Sequence, residues 1–231
     1  MQEWLNLHQF GLTIDGDFGR ITEMSVSRFQ EQNGIRSTGI VDDATWSVLI
    51  APLRRVLTPL PTTVQQASFA EVVHLFARQH LREHPLEIGG ANCGPWVRTY
   101  MKGNQGSPWA WCAGFVSFIL KQAAETLQVT YNLAGSFSCD TLAAQGKNAG
   151  LFVPGASVIN GSVSPQQLPV ASIFLVRRTS TDWTHTGFVT EFQADGFSTI
   201  EGNTNDDGNR DGYEVCARTR GYGKIDLIAL R

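Results

Sequence analysis

A cysteine, a histidine and a carboxylate in the second half of the chain have the types and order needed for nucleophilic catalysis. Cys112 stands in "PWAWCAGFVSFIL", at the first turn of an apolar run that predicts a helix. A thiol attacks a carbonyl as the thiolate, and a helix N-terminus lowers the thiol pKa. His185 opens the strand-like "HTGFVTEF", and Glu201 closes the strand-like "STIE". We expect His185 to activate Cys112, and Glu201, or Asn203 two residues on, to orient the imidazole.

The other reading of Cys112 is a small buried core residue, which is a common fate of cysteine in an apolar helix. The small residues Ala113 and Gly114 favour the catalytic reading, because they are expected to leave room for a substrate backbone. The chain has four cysteines and no CxxC pair, so four free thiols are expected. Cys139 also opens a predicted helix, but it lacks the apolar run that follows Cys112.

Helices come before strands in this part of the chain. Ser68 is a predicted N-cap for a helix that ends before Pro85, and a second helix is expected at about 112–127. Four short apolar or alternating stretches after residue 170 predict strands. The order predicts an α+β domain with an antiparallel sheet.

Three stretches, "WCAGFVSFIL", "HTGFVTEF" and "TIEGNTN", together resemble the CHAP domain, the cysteine, histidine-dependent amidohydrolase and peptidase family related to the NlpC/P60 hydrolases. The resemblance covers about residues 68–231 and implies a papain-like fold. It implies that Cys112 is the nucleophile, His185 the general base, and Glu201 and Asn203 the residues that orient the base and complete the site. Trp111 is a candidate for substrate contact or core packing. The acids that bind calcium in some such domains have no counterpart in "GNQGSPWAW".

The first 50 residues contain a repeat with a spacing of 23, in which "DGDFGRITEMSV" overlays "TGIVDDATWSVL". Each copy predicts a glycine turn followed by a helix, the first at about 20–32 and the second capped by Asp42. Val26, Phe29, Trp46 and Leu49 are expected to share a small core. The proline-containing stretch that follows, 53–67, predicts a linker.

The same segment resembles the peptidoglycan-binding type 1 domain, a three-helix module found beside cell-wall hydrolases. The resemblance rests on "DGDFG", "FQEQNGI" and "TGIVDDATW" and covers about residues 3–52. It implies that Asp15, Gly16 and Phe18 contact the ligand. A helical bundle without a ligand is the alternative. The predicted division is therefore 1–52 for wall binding, 53–67 for the linker and 68–231 for the hydrolase.

Composition excludes several classes of protein. The formal net charge is −3, and no basic stripe is present, so we expect no nucleic-acid partner. No apolar run reaches the length of a membrane span. "MQEWLNLHQFG" lacks a basic region followed by an apolar one, so we expect cytoplasmic synthesis without a signal peptide.

Two metal-binding patterns compete with this interpretation. "HLREH", residues 80–84, fits the H-x-x-E-H pattern of inverted zinc peptidases, with His80 and His84 as ligands and Glu83 as base. Pro85 follows at once, which weakens that pattern. "NTNDDGNRDGYE", residues 203–214, loosely fits a calcium-binding EF-hand loop, although a solvated turn between strands explains it better.

The sequence therefore predicts a peptidoglycan amidase or endopeptidase that uses a cysteine nucleophile and needs no metal or organic cofactor. It is expected to be a monomer that acts in the periplasm or cell wall of a target or host bacterium. The expected partners are peptidoglycan and a delivery system, either a phage holin or a secretion machine with an immunity protein. The bond that is cut stays open, and a zinc peptidase or a non-catalytic wall-binding protein are the alternatives.

Overall fold

The structure is a computed structural model that describes residues 1–61, 64, 66–205 and 212–231. Within these ranges it has nine α-helices and six β-strands, so the prediction of an α+β fold is confirmed. Helices α1 to α9 are Gln2–Leu7, Arg20–Gln32, Asp43–Leu49, Ala51–Leu57, Phe69–Glu83, Pro95–Tyr100, Cys112–Leu127, Cys139–Asn148 and Gly155–Ile159. Strands β1 to β6 are Phe152–Val153, Ile173–Thr179, Asp182–Phe192, Gly196–Thr204, Glu214–Gly221 and Ile225–Ile228.

The six described strands form one antiparallel sheet in the order β1-β6-β2-β3-β4-β5. Strands β2 to β5 follow each other in sequence and in space, while β6 returns to lie between β1 and β2. Val176 of β2 lies opposite His185 of β3, and Glu201 of β4 lies opposite Cys216 of β5. The neighbouring strands β3 and β4 therefore carry the two predicted partners of Cys112.

Helices α5 and α7 build the core that supports these strands. Ser68 and Glu71 form a capping box at the start of α5, and His84 ends it in a left-handed conformation before Pro85. Helix α7 has the bounds predicted from the sequence, and its buried apolar side chains include Phe115, whose ring packs edge-on against Phe188 of β3 at 6.1 Å. Burying each such side chain stabilises the fold by about 1.5–3 kcal/mol.

The N-terminal helices form where the repeat predicted them. Asp42 caps α3, because its Oδ1 accepts the amide of Thr45 at 2.8 Å. Thr45 and Leu49 are buried, as an i, i+4 pair on one helical face should be. Trp46 is 40% exposed, so its predicted place in the core is wrong. It follows Thr45 directly, and a helical turn of about 100° per residue directs it away from that face.

The stretch expected to be a linker begins as a helix. Ala51–Leu57 forms α4, with Pro52 in the first turn, where the missing amide hydrogen costs no helical hydrogen bond. Val56 of α4 is fully buried, and its carbonyl accepts Gln122 Nε2 of α7 at 2.8 Å. Arg55 donates two hydrogen bonds to Glu83 at the end of α5. The chain between the two predicted domains is therefore packed against α5 and α7 over its first turns.

Helix α1 adds a second contact between the two halves. The Trp4 ring lies edge-on to Trp96 of α6, with 5.8 Å between centroids, and Arg98 pairs with Glu3 at 2.5 Å. Buried residues of both halves form one continuous apolar cluster. Among the described residues, no helix combines the length and the apolar character that a membrane crossing requires.

Candidate functional site

Cys112 is the first residue of α7, as the sequence predicted, and its side chain is 5% exposed. The amides of the first helical turn have no intrahelical acceptors, so they favour a negative charge at this position. Gly114 does not serve to open the site, contrary to expectation. A Cβ at Gly114 would overlap Met101 Sδ and lie 3.0 Å from the Tyr100 carbonyl oxygen. Its small size instead lets α7 pack closely against the end of α6.

His185 and Glu201 meet beside this helix end. Nε2 of His185 lies 2.8 Å from Oε2 of Glu201, and the imidazole also hydrogen-bonds the Cys112 thiol. Since Nε2 is engaged by Glu201, Nδ1 is the nitrogen left to face the sulfur. The His185 side chain is 18% exposed, and the Glu201 side chain is fully buried. The structure thus brings the three predicted residues into one chain of contacts.

Cys112, His185 and Glu201 each stabilise the charged form of a neighbour in the site. A hydrogen bond from Cys139 and the bond and charge of His185 outweigh burial and hold the pKa of Cys112 well below its ordinary value. Burial lowers the pKa of His185, but Cys112 and Glu201 outweigh it and raise that pKa to about 9. Burial raises the pKa of Glu201, but Arg220 and His185 outweigh it and lower that pKa to about 2. These interactions favour the thiolate of Cys112, the imidazolium of His185 and the carboxylate of Glu201.

Asn203 contacts the residue before α7 rather than the imidazole of His185. Its Oδ1 accepts the backbone amide of Trp111 at 2.9 Å, and its Nδ2 donates to the Gly212 carbonyl at 2.6 Å. Between the two predicted orienting residues, Glu201 is therefore the one bonded to the imidazole. Asn203 occupies a left-handed backbone conformation, with φ of 55°, which asparagine tolerates better than most residues.

Trp111 is fully buried, which agrees with core packing, one of its two predicted roles. Its ring stacks on Tyr100 at 5.4 Å between centroids, and its Nε1 donates to Glu87 Oε1 at 2.7 Å. A large aromatic ring with a satisfied N–H is well suited to fix the backbone beside Cys112. Trp111 therefore has a positioning role in the structure.

Arg220 is a site residue that the sequence analysis missed. Its Nε and Nη2 reach the two Glu201 oxygens at 2.6 and 2.5 Å, and its guanidinium lies 5.1 Å from the centre of the Phe174 ring. Thr199 Oγ1 donates a further bond to the same carboxylate at 2.6 Å. This parallel pairing holds Glu201 in one orientation. No motif points to Arg220, because its place depends on the register that sets it opposite Phe197.

Cys139 is a second thiol within the site. It is the first residue of α8, is 7% exposed, and its Sγ lies 3.9 Å from Cys112 Sγ. The sequence placed Cys139 at a helix start but gave no indication that the starts of α7 and α8 converge. Bonding to Cys112 and burial raise the pKa of Cys139 above its ordinary value, so it is present as the neutral thiol. Cys93, in contrast, lies in a loop and its Sγ is close to the Ala91 carbonyl.

An open cleft of about 1040 Å³ leads to the sulfur. A volume of this order accommodates several linked groups of a peptide rather than a single side chain. Its wall carries cationic side chains next to the histidine, and its lining includes Asn92, Ser107, Cys112, Arg178, His185, Asn203, Arg218 and Arg220. Cys112 and His185 thus both line the same cleft.

Hydrogen bonds from the Gln2 side chain of α1 hold the predicted ligand-binding turn of the N-terminal half. Asp15 Oδ1 accepts Gln2 Nε2 at 2.7 Å, and the Gly16 amide donates to Gln2 Oε1 at 2.9 Å. Gly16 has a φ of 79°, which a glycine adopts without strain. Phe18 is 49% exposed, and Asp15 and Gly16 are exposed as well. Asp15 and Gly16 shape the turn that displays Phe18.

The H-x-x-E-H residues do not converge on a common point. Both ring nitrogens of His80 are engaged, with Tyr100 Oη at 2.8 Å and Gln122 Oε1 at 2.9 Å. Burial lowers the pKa of His80 to about 4, so the ring is a neutral core group. Glu83 pairs with Arg55, and His84 contacts Glu214. The described residues contain no group of three or more His, Cys, Asp or Glu side chains arranged to hold a metal ion.

The loop at residues 203–214 cannot be read as a calcium site from the structure, because positions 206–211 lie outside the described residues. Its two described ends have other contacts. Asn203 bonds the Trp111 amide, and Glu214 contacts His84.

Comparison with known families confirms the peptidoglycan-binding prediction. The family model of the peptidoglycan binding domain matches residues 1–49, which correspond to α1, α2 and α3. The search of curated proteins and the search of solved structures give no significant match. The chain therefore carries a peptidoglycan-binding type 1 domain, which fits a cell-wall location and a cell-wall-associated role.

Proposed function

We propose that the chain is a peptidoglycan hydrolase that cleaves an amide bond of the wall peptide with Cys112 as nucleophile. The observation that carries the proposal is the contact chain Cys112, His185 and Glu201 at the wall of a cleft, in a chain that also has a peptidoglycan-binding domain. A papain-like CHAP domain over residues 68–231 is part of this proposal. Its support is the order of the motifs and the position of each along α7, β3 and β4.

The mechanism uses groups of the chain and water. The Cys112 thiolate attacks the amide carbonyl, and first-turn amides of α7 stabilise the oxyanion that forms. The His185 imidazolium donates its proton to the leaving amine, which yields a thioester and a free amine. His185, now neutral, takes a proton from water, and the resulting attack releases the carboxylate and regenerates the thiolate. Glu201 keeps the ring oriented and stabilises its charged form in each half-reaction.

The binding domain supports this activity by holding the enzyme at an insoluble polymer. Bound there, the cleft meets wall peptides at a high effective concentration. An enzyme of this kind needs access to the wall of a target or host bacterium, so a holin pore or a secretion machine with a cognate immunity protein belongs to the proposal. The muramoyl amide, a stem-peptide bond and a cross-bridge bond are all within the reach of this chemistry.

The test is release of amino groups from purified sacculi, followed by mass spectrometry of the fragments. Cys112→Ala should lower the rate by several orders of magnitude, since the nucleophile is lost, while sedimentation with sacculi is unchanged. Cys93→Ala is the matched control, because Cys93 lies in a loop outside the cleft lining, and it should retain wild-type activity.

Three outcomes contradict the proposal. Full hydrolysis by Cys112→Ala excludes the cysteine mechanism. Binding of wild-type protein to sacculi without any hydrolysis favours a non-catalytic wall-binding protein. Inactivation of the wild type by a chelator, together with loss of activity in Glu83→Gln, favours the zinc peptidase.

A further inference from the structure

The mechanism proposed above leaves one buried thiol of the site unused. Cys139 and Cys112 are 27 positions apart in sequence, yet their sulfurs lie 3.9 Å apart where the N-termini of α7 and α8 meet. Both side chains are more than nine-tenths buried, at 7% and 5% exposure. The protein therefore holds two thiols in contact within its interior.

The separation is small enough for the two sulfurs to bond. A disulfide has an S–S distance of about 2.05 Å, so the sulfurs must approach by about 1.9 Å from the observed 3.9 Å. This approach requires the two side chains to rotate about their Cα–Cβ bonds. Ser138 anchors the start of α8 by accepting the Thr141 amide, so the second sulfur is presented from a fixed helix end.

The two thiols differ in reactivity in a way that sets the order of events. Cys112 lines the cleft, and its lowered pKa favours the thiolate, which is the form that reacts with an oxidant. The pKa of Cys139 is raised first by its bond to Cys112 and by burial, and further by the Cys112 charge. Once Cys112 is oxidised its negative charge is gone, and that part of the suppression of Cys139 disappears.

We propose that Cys112 and Cys139 form a redox-active dithiol, in which Cys112 reacts first with a peroxide or a small disulfide and Cys139 then closes an intramolecular disulfide. With hydrogen peroxide, the Cys112 thiolate attacks one oxygen, the O–O bond breaks, and the departing hydroxide takes up a proton to give water. Cys139 sulfur then attacks the Cys112 sulfenic acid, the S–O bond breaks, and a second water leaves with the Cys139 proton. Two electrons pass from the two sulfurs to the peroxide.

With a small disulfide, the same pair reacts by exchange. Cys112 forms a mixed disulfide and releases one thiol, and attack by Cys139 on the Cys112 sulfur releases the second. In either route the nucleophile is held in a bond that a dithiol reductant reopens. The expected reversible loss of hydrolysis rests on the proposed function, whereas the disulfide itself does not.

The experiment treats the reduced full-length protein with hydrogen peroxide or with glutathione disulfide and then counts free thiols in denaturant. Two of the four thiols should disappear, and peptide mapping should recover a cross-linked pair containing residues 112 and 139. Hydrolysis of sacculi should fall on the order of 1000-fold and return after dithiothreitol. Cys139→Ala should give no cross-link, and its peroxide-treated form should pass to the sulfinic acid and stay inactive after dithiothreitol. Cys93→Ala should behave as wild type.

Two results overturn the inference. One is a wild-type protein whose Cys112 is oxidised to the sulfinic acid, or stays glutathionylated, to the same extent as in Cys139→Ala. The other is a cross-link from Cys112 to Cys93 or Cys216 in place of Cys139. If the predicted cross-link forms but sacculi are never hydrolysed, the dithiol proposal stands and the hydrolase proposal is refuted. The two proposals can therefore fail separately.

Discussion

Replacing Glu201 by glutamine tests how strongly the site depends on one buried negative charge. The carboxylate is fully buried and accepts hydrogen bonds from Arg220, His185 and Thr199. Glutamine has nearly the same shape and stands in for the protonated carboxyl group. The difference between Glu201→Gln and wild type therefore measures what ionisation of this carboxyl contributes to the folded state.

The size of the effect follows from the pKa of Glu201, which is about 2 in the folded protein against an ordinary 4.5. At 1.36 kcal/mol for each tenfold change in proton affinity, the ionised form stabilises the fold by about 3 kcal/mol. Because the folded-state pKa is the lower one, this stability is complete above pH 4.5 and is lost as the pH falls through about 2. At pH 3, ionisation of Glu201 still contributes about 1 kcal/mol to the free energy of unfolding.

Urea unfolding followed by tryptophan fluorescence measures the difference, since the chain has six tryptophans. We expect Glu201→Gln to be less stable than wild type by about 3 kcal/mol at pH 6 and by about 1 kcal/mol at pH 3. The control is Glu125→Gln, whose surface pair with Lys121 has both side chains more than 60% exposed and should matter by less than about 0.5 kcal/mol. A deficit for Glu201→Gln that is equal at both pH values, or no deficit, refutes the reasoning.

Three further predictions concern activity and packing. The profile of kcat/KM against pH should fall on its alkaline side near pH 9, where His185 loses the proton it donates. In Glu201→Gln this alkaline limb should move to lower pH, because the carboxylate that raises the pKa of His185 is removed. Arg220→Met should lower kcat/KM on the order of 100-fold by releasing Glu201, and Arg220→Lys should recover part of it; equal activity in all three proteins contradicts a positioning role. Gly114→Ala should cost about 1–3 kcal/mol of stability in thermal unfolding, because the new methyl group meets Met101 and the Tyr100 carbonyl, whereas Gly221→Ala, whose nearest neighbour is 3.8 Å away, should be tolerated.

Local signals were sufficient for most of the helices. The bounds of α2 and α7 follow from apolar periodicity and end signals, and the caps at Ser68 and Asp42 follow from side chains that satisfy first-turn amides. Helix α4 was missed, because Pro52 and Pro61 suggested an irregular segment. The helix forms because its Val56 face packs on α5 and α7, which no local pattern reveals.

In the site, too, some residues follow from local sequence signals and others depend on tertiary packing. The order of the three motifs was enough to predict that Cys112, His185 and Glu201 meet, although only Cys112 lies at the end of its element. His185 and Glu201 lie inside β3 and β4, so the expectation that one opens its strand and the other closes it was wrong. The positions of Arg220 and Cys139 in the site depend on tertiary structure. Arg220 reaches the site through the register between β4 and β5, and Cys139 reaches it because the starts of α7 and α8 converge. The expectation that Gly114 leaves room for a substrate was wrong because this residue packs against the end of α6, whose position the sequence did not indicate. Trp111 also packs against α6, which agrees with the core-packing alternative.

Packing on α6 connects the peptidoglycan-binding domain to the proposed nucleophile, Cys112, by direct contact. Trp4 of α1 packs on Trp96 of α6, Trp96 stacks with Tyr100 at 6.3 Å, and Tyr100 stacks with Trp111, the residue before Cys112. A flexible tether would raise the local concentration of substrate but leave its orientation free. A run of packed rings, reinforced by the pair of Glu3 with Arg98, fixes orientation as well, because aromatic contacts of this kind resist rotation. Under the proposed function, binding of the N-terminal domain (α1, α2 and α3) to the wall therefore presents the cleft to the polymer in one direction. That would narrow the set of wall peptides that Cys112 can reach.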